Sequence, residues 1–405
     1  MTSTSPPKIT PAKLPQLTVT LLTFGAFFAF FVFGFSDSLK GPVLPELLDD
    51  LQINYAVGGT ILLGLYAGFT LASLLSGLLA DRFGPKMVLV LAGSSLSLGV
   101  FTFAAANTAV TLTTAMFILG FGLGAIELGG NGLIVSLHSE HQGRYLNLMA
   151  AMHGLGSTVA PLYAGLLLAN DQTWRTVYRG DLLLAIPLIL LFALLRFPRR
   201  ANAEAGDAFQ WRELGKSAFT PRLLLSYLTV LLYVSTEIGI ASWLVAYLQD
   251  VRGQDVAQST QALSLFWALM MIGRFLGSFL VDRIGYLRAI LITVLLASGC
   301  LAIGLFGPPQ AWWLLAISGI FLSIVFPTFT AATASSLTEN KNSILGVLFT
   351  FAGLGGIFGP WLVGVVSNSL GLKIGFSLIL GLSLTTAVIV TILLRLNSGQ
   401  AKEQI

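Results

Sequence analysis

The chain has 405 residues, of which 55% are hydrophobic and only 10% are charged, with 22 Lys and Arg against 18 Asp and Glu. A water-soluble fold of this length needs a far more polar surface, so lipid must be the solvent for most of its exterior. The basic residues cluster where the chain would leave a bilayer and form no free patch, which excludes a nucleic-acid-binding reading of the net charge of +4.

Residues 1–16 are rich in Ser, Thr, Pro and Lys and read as a disordered cytoplasmic tail. The apolar run that follows is too long for a removed signal peptide and lacks a small-residue cleavage site. Apolar stretches of about 20 residues, long enough for a hydrocarbon core of about 30 Å, predict helices near 19–43, 55–79, 86–105, 109–137, 143–169 and 180–197. A second set is predicted near 221–249, 257–281, 287–306, 310–335, 341–368 and 373–396. This is an all-α membrane protein of twelve transmembrane helices. The halves are 17–198 and 221–396, joined by a polar cytoplasmic linker at 199–220 and followed by a cytoplasmic tail at 397–405.

With both termini in the cytoplasm, sixteen Lys and Arg fall inside and five outside, among them Lys40, while Arg274 lies within a helix. The positive-inside rule selects that orientation, and hence an inner (cell) membrane protein with both ends cytoplasmic. Cys300 is the only cysteine, which excludes a disulfide framework and a thiol metal site.

The segment Gly77-Leu78-Leu79-Ala80-Asp81-Arg82-Phe83-Gly84-Pro85-Lys86 follows the second apolar run, and Val281-Asp282-Arg283-Ile284-Gly285-Tyr286-Leu287-Arg288 follows the eighth, about two hundred residues later. Such duplication is the mark of a transporter made of two repeated bundles. The first copy resembles the loop between helices two and three of the major facilitator superfamily, G-x-x-x-D-R-x-G-R-[RK], with Pro85 in place of the first closing basic residue. The resemblance implies two pseudo-symmetric six-helix bundles, alternating access, a monomer, and a cytoplasmic gate carried by Asp81, Arg82, Lys86, Asp282 and Arg283. A second repeat pairs His153-Gly154-Leu155-Gly156-Ser157-Thr158-Val159-Ala160-Pro161 with Ala352-Gly353-Leu354-Gly355-Gly356-Ile357-Phe358-Gly359-Pro360. Small residues at spacing four let helices approach closely. The same residues also resemble the G-x-x-x-G-P element of antiporters, with Ala160 standing where those have glycine.

Ionisable groups at membrane depth cost several kcal/mol, on the order of 3 by insertion scales, so each should face a cavity or a partner. Asp37 and Glu237 stand on the first helix of each half, at matching distances before the loop motifs. Asp37 either faces the cavity or bonds to Lys40 and nearby backbone. Tyr233 shares the face of Glu237 one turn away, a pairing suited to a hydroxylated ligand. Helix four carries Gly120-Phe121-Gly122-Leu123-Gly124-Ala125-Ile126-Glu127-Leu128-Gly129-Gly130-Asn131-Gly132, in which Glu127 and Asn131 are one turn apart. Its glycines make either a tight seam or room for a ligand, and an acid held there is a candidate proton carrier. His153 is a lone histidine in helix five. Trp267 and Arg274 share a face of helix eight, where Arg274 could bind an anion or pair with Glu237 or Asp282.

The helix-one pattern around Asp37, the glycine-rich helix four with Glu127 and Asn131, and Glu237 ahead of Trp243 look like the fucose, galactose and glucose:proton symporter branch and its sodium-dependent glucose transporter relatives. That resemblance implies proton coupling at Glu127 and Asp37. Taken with the intramembrane polar residues above, it leads to the expectation that a sugar or similar small polar solute is bound by Asp37, Asn131, His153, Tyr233, Glu237, Trp267 and Arg274. No cofactor is expected; the coupling ion is a proton, with sodium the alternative. Two other readings stand beside this one: a proton-coupled efflux antiporter and a non-transporting receptor on the same fold. An enzyme is not expected, because no nucleophile–base pair and no phosphate loop occur.

Overall fold

A computed structural model describes residues 15–197, 219–335, 337 and 341–403. The expected tail before residue 15 and most of the expected linker, 198–218, lie outside the described residues. The first bundle comprises α1 (Gln16–Ser38), α2 (Lys40–Asp50), α3 (Tyr55–Ala105), α4 (Ala109–Leu137), α5 (Gln142–Leu168) and α6 (Trp174–Leu194). The second comprises α7 (Pro221–Asp250), α8 (Val256–Ile284), α9 (Tyr286–Phe306), α10 (Trp313–Leu322), α11 (Val325–Ser335), α12 (Lys341–Leu370) and α13 (Leu372–Glu403).

Eleven segments among the described residues are long and apolar enough to cross a bilayer, counting α1 with α2 and α10 with α11 as single spans and α3 as two, Tyr55–Ala80 and Arg82–Ala105. The twelfth crossing is α8, whose length is that of its neighbours and whose charged residues are Arg274, Asp282 and Arg283. Side-chain caps set several starts. Asn54 accepts from Val57 N at the head of α3, Thr108 makes a capping box on α4, and Asp255 accepts from Gln258 N on α8.

The structure changes the expected bounds of four helices. Thr173 caps α6 six residues before the expected start, which carries Asp181 two turns into the helix. The expected first helix is two helices, broken at Leu39 and prolonged to Asp50, because Pro42 and Pro45 have no N–H to give the carbonyls four residues back. Pro327 does the same to the expected tenth helix, dividing it into α10 and α11. The last helix runs past the expected 396 to Glu403.

The duplicated loop motifs have duplicated geometry. Gly84 turns the chain inside α3 at φ 83° and ψ 161°, and Gly285 turns it between α8 and α9 at φ 87° and ψ 142°. That region of backbone space is open essentially to glycine alone. We call the end of the molecule holding these turns the motif end.

Packing repeats as well. Gly156 of α5 meets the Phe31 carbonyl of α1, and Gly355 and Gly359 of α12 meet the Leu231 and Ser235 carbonyls of α7. Ser157 Oγ donates to Gly34 O at 3.2 Å in the first bundle, and Ser235 Oγ to Gly355 O at 3.0 Å in the second. The repeated small-residue segments thus make seams within each bundle, while Gly154, Gly353 and Gly356 of the same segments meet Met271, Thr70 and Tyr66 of the opposite bundle.

Lys86, expected at the gate, is an anchor within its own bundle. Its Nζ donates to Ala193 O at 2.7 Å and Leu195 O at 3.0 Å, satisfying carbonyls at the end of α6 with a cation at the negative end of the helix dipole. Lys86→Ala should cost about 0.3–1 kcal/mol and speed amide exchange in the last turn of α6. Unchanged exchange there would count against the anchor. His138 also packs inside its bundle at the motif end, stacked on Tyr145 at 3.6 Å and bonded to Thr23 Oγ1 at 2.8 Å. Burial and the neighbouring His141 hold its pKa below the ordinary histidine value.

Candidate functional site

Away from the motif end the bundles are pressed together. Gly41 of α2 lies on the Ala241 carbonyl of α7, Gly59 of α3 on Gly364 of α12, and Gly165 of α5 on Thr260 of α8. Ser264 Oγ donates to Thr158 O at 2.7 Å, and Tyr55 Oη to Asp250 Oδ2 at 2.8 Å. Toward the motif end Gly77 of α3 and Gly132 of α4 face open space. The bundles are thus held in direct contact at the end away from the motifs. Tyr55→Phe should release the closed end by about 0.5–1.5 kcal/mol, raising the reactivity of a thiol placed there several-fold. Equal reactivity would show that Tyr55 does not latch it.

Where the closed half begins, charged side chains gather between the bundles. Lys40 Nζ stands 2.8 Å from Asp37 Oδ2 and donates to Asp37 O at 2.6 Å. Tyr66 Oη of α3 donates to Asp37 Oδ1 at 3.3 Å, and Lys40 lies over its ring. Across the interface, Glu237 Oε1 of α7 is 3.8 Å from Arg274 Nη2 of α8. Tyr233 Oη donates to Leu322 O at 2.8 Å, so its proton is committed to the fold. His153 sets its ring edge-on against Phe33 at 4.6 Å and lies within electrostatic reach of Arg274, Asp37 and Lys40.

The structure therefore brings Asp37, Tyr233, Glu237, Arg274 and His153 together and selects, for Asp37, bonding to Lys40 and, for Arg274, pairing with Glu237. Trp267 is 5% exposed, and its indole N–H, like the Nε of Arg274, has no hydrogen-bond partner among the described residues.

Glu127 and Asn131 are half-buried on α4. Among the described residues Glu127 has no hydrogen-bond or ion-pair partner, in contrast to Asp37 and Glu237. The glycines around it are mostly seam. Gly120 and Gly124 meet the Leu65 and Phe69 carbonyls of α3, while Gly122 and Gly129 meet Leu96 and Leu89 in the same helix beyond its turn. They bring α4 against its neighbours on those sides and do not form the ligand space.

Two polar residues are more deeply buried than the sequence suggests. Lys40, counted with the outer basic residues and offered as a partner for Asp37, is 2% exposed. Asp181 is fully buried, with Oδ1 accepting from Ser36 Oγ at 2.9 Å and Oδ2 unpartnered among the described residues. Reading Thr173 as a cap would have placed it inside the helix. Of the expected gate residues, Arg82 is exposed and lies over the Phe83 ring, and Arg283 is exposed. The side chains of Asp81 and Asp282 lie outside the described residues.

Comparison with known proteins accords with this architecture. A "Glucose/galactose transporter" of Brucella abortus is 28% identical over 372 residues, spanning 86% of this chain and 88% of the relative. The "L-fucose-proton symporter" of Escherichia coli is 23% identical over 377 residues, spanning 84% and 86%. The fold matches the crystal structure of a bacterial homologue of the human lysosomal transporter Spinster, inward-facing and unoccupied, with a TM-score of 0.78 at 16% identity over 94% of this chain and 98% of that one. The family profile of the Major Facilitator Superfamily matches residues 26–360. With its duplicated loops, paired bundles and central cluster of charges, the chain is a multi-pass membrane transporter that belongs to the Major Facilitator Superfamily.

Proposed function

We propose that the protein is a secondary active transporter that carries a monosaccharide or similar polyol together with a proton, as a monomer, in the inner membrane with its motif end toward the cytoplasm. The observation that carries the reading is the supply of unused hydrogen-bonding groups on both bundles. Among the described residues, Trp267 Nε1 and Arg274 Nε on α8 are donors without partners, and Glu127 on α4 is an acceptor without one. A hydroxylated solute both donates and accepts, and polar groups in a protein interior generally find a partner. The similarity to sugar transporters named for glucose, galactose and L-fucose supports the substrate class, and the proton named with the last supports the coupling ion.

Glu127 takes the proton, with Asn131 and His153 orienting the solute. Asp37 and Glu237 hold their cations and shape the site, and Arg82, Asp81, Asp282 and Arg283 act when the motif end closes.

The test is external pH in de-energised proteoliposomes on addition of D-glucose, D-galactose or L-fucose, with sodium present and absent. Alkalinisation with a monosaccharide is expected. Uptake that requires sodium and moves no proton would replace the coupling ion. Silence with every sugar, with proton-driven accumulation of a lipophilic cation, would replace the reading by efflux.

A further inference from the structure

We propose that Lys40 is a resident counter-cation that occupies, beside Asp37, the place a coupling ion would take, so that Asp37 stays ionised without binding a proton and coupling is left to Glu127. The proposal deepens the function proposed above and rests on that reading for its transport consequence.

The hydrogen-bond inventory of Asp37 matches an ionised group. Oδ2 faces the Lys40 ammonium at 2.8 Å and Oδ1 faces the Tyr66 hydroxyl at 3.3 Å. Both oxygens meet donors, as a carboxylate requires, and the ammonium spends a second donor on Asp37 O at 2.6 Å. Isolated, either charge would cost several kcal/mol at this depth. The groups that face the pair come from five further elements: Tyr66 from α3, His153 from α5, Tyr178 from α6, Glu237 from α7, and Arg274 from α8 behind Glu237. Asp37 balances Lys40, and Glu237 balances Arg274. The cluster is neutral with no ion from outside.

Place in the fold gives the pair a reason to exist. The break at Leu39 sets Lys40 at the head of α2, one turn beyond Asp37, and the next residue, Gly41, lies on the Ala241 carbonyl of the other bundle. Tyr66 in turn lies against Gly356 of α12. The pair is sealed by contacts that must part when the closed end opens. Water then reaches it, and the acid is presented to solute already ionised, with no proton to be removed first.

Infrared spectroscopy of the purified protein at neutral pH tests the ionisation without any solute. Asp37→Asn should remove no protonated-carboxyl stretching band from the wild type. K40M should gain such a band, and the K40M/D37N double variant should lose it. A protonated band removed from the wild type by D37N, or no band gained in K40M, overturns the proposal. Should K40M fail to fold, comparison of wild type with D37N still decides the first point. In proteoliposomes the protons taken up per monosaccharide should rise about twofold in K40M, because Asp37 now needs one of its own; an unchanged ratio also counts against it. Infrared results as expected with no sugar-dependent proton movement would leave Lys40's role standing and remove the sugar symport reading instead.

Discussion

Glu127→Gln should abolish accumulation of a monosaccharide against its gradient while leaving exchange of labelled for unlabelled sugar across the membrane. The glutamine keeps the size of the side chain and an acceptor oxygen, so solute contacts survive. What is lost is an acid that the described residues leave without a donor or a cation. With a proton gradient of one pH unit, wild-type accumulation should reach about tenfold for a one-proton coupling, the equivalent of about 1.4 kcal/mol. In the variant the inside and outside concentrations should equalise. Uphill accumulation that persists in Glu127→Gln would remove this residue from the coupling step, and loss of exchange as well would make it a binding residue only.

Gly120→Val should cost the most stability of any conservative change in the first bundle. A side chain at Gly120 would run into the Leu65 carbonyl of α3, and one at Gly68 into the Phe117 carbonyl of α4, so the two helices hold one another by reciprocal bare backbone. Backbone cannot rotate away as a leucine tip can, so the helices must separate. Overpacking of this kind costs about 1–3 kcal/mol or more, visible as a lower thermal midpoint by tryptophan fluorescence in detergent. Gly132→Val on the same helix is the control, because a side chain there meets open space. If both variants melt alike, the seam is not what fixes α3 against α4.

Much of the architecture was legible because lipid imposes it: apolar runs of fixed length, basic residues at one set of ends, and a repeated loop whose glycine the backbone demands. Gly84 and Gly285 could be matched from the sequence and prove to share one conformation. Hydropathy was blind where local chemistry overrode it. Pro42 and Pro327 break helices that read as continuous, and Lys40, a charge next to a predicted helix end, is in fact inside. For the site, the acids of the first, fourth and seventh predicted helices were visible as costly residues in apolar surroundings. Which of them is paired was not, because pairing depends on how helices face one another. Sequence spacing offered Asp282 and Glu237 to Arg274, and the fold places Glu237 within 3.8 Å. Glu127 lacks a cation for the same kind of reason: the seams bring α4 against α3 and present no basic side chain to it.

The two ion pairs divide between the bundles, Asp37 with Lys40 in the first and Glu237 with Arg274 in the second. When the bundles rock, each pair travels as a dipole with its own bundle, and no net charge from these four residues crosses the membrane's electric field. A full elementary charge moved across 100 mV is worth about 2.3 kcal/mol, enough to hold a carrier on one side. By keeping cation and anion on the same moving part, the fold spares the empty carrier that drag at these positions. Membrane voltage is left to act through the acids that carry no cation, so whether the return step responds to voltage becomes a property of Glu127 and Asp181.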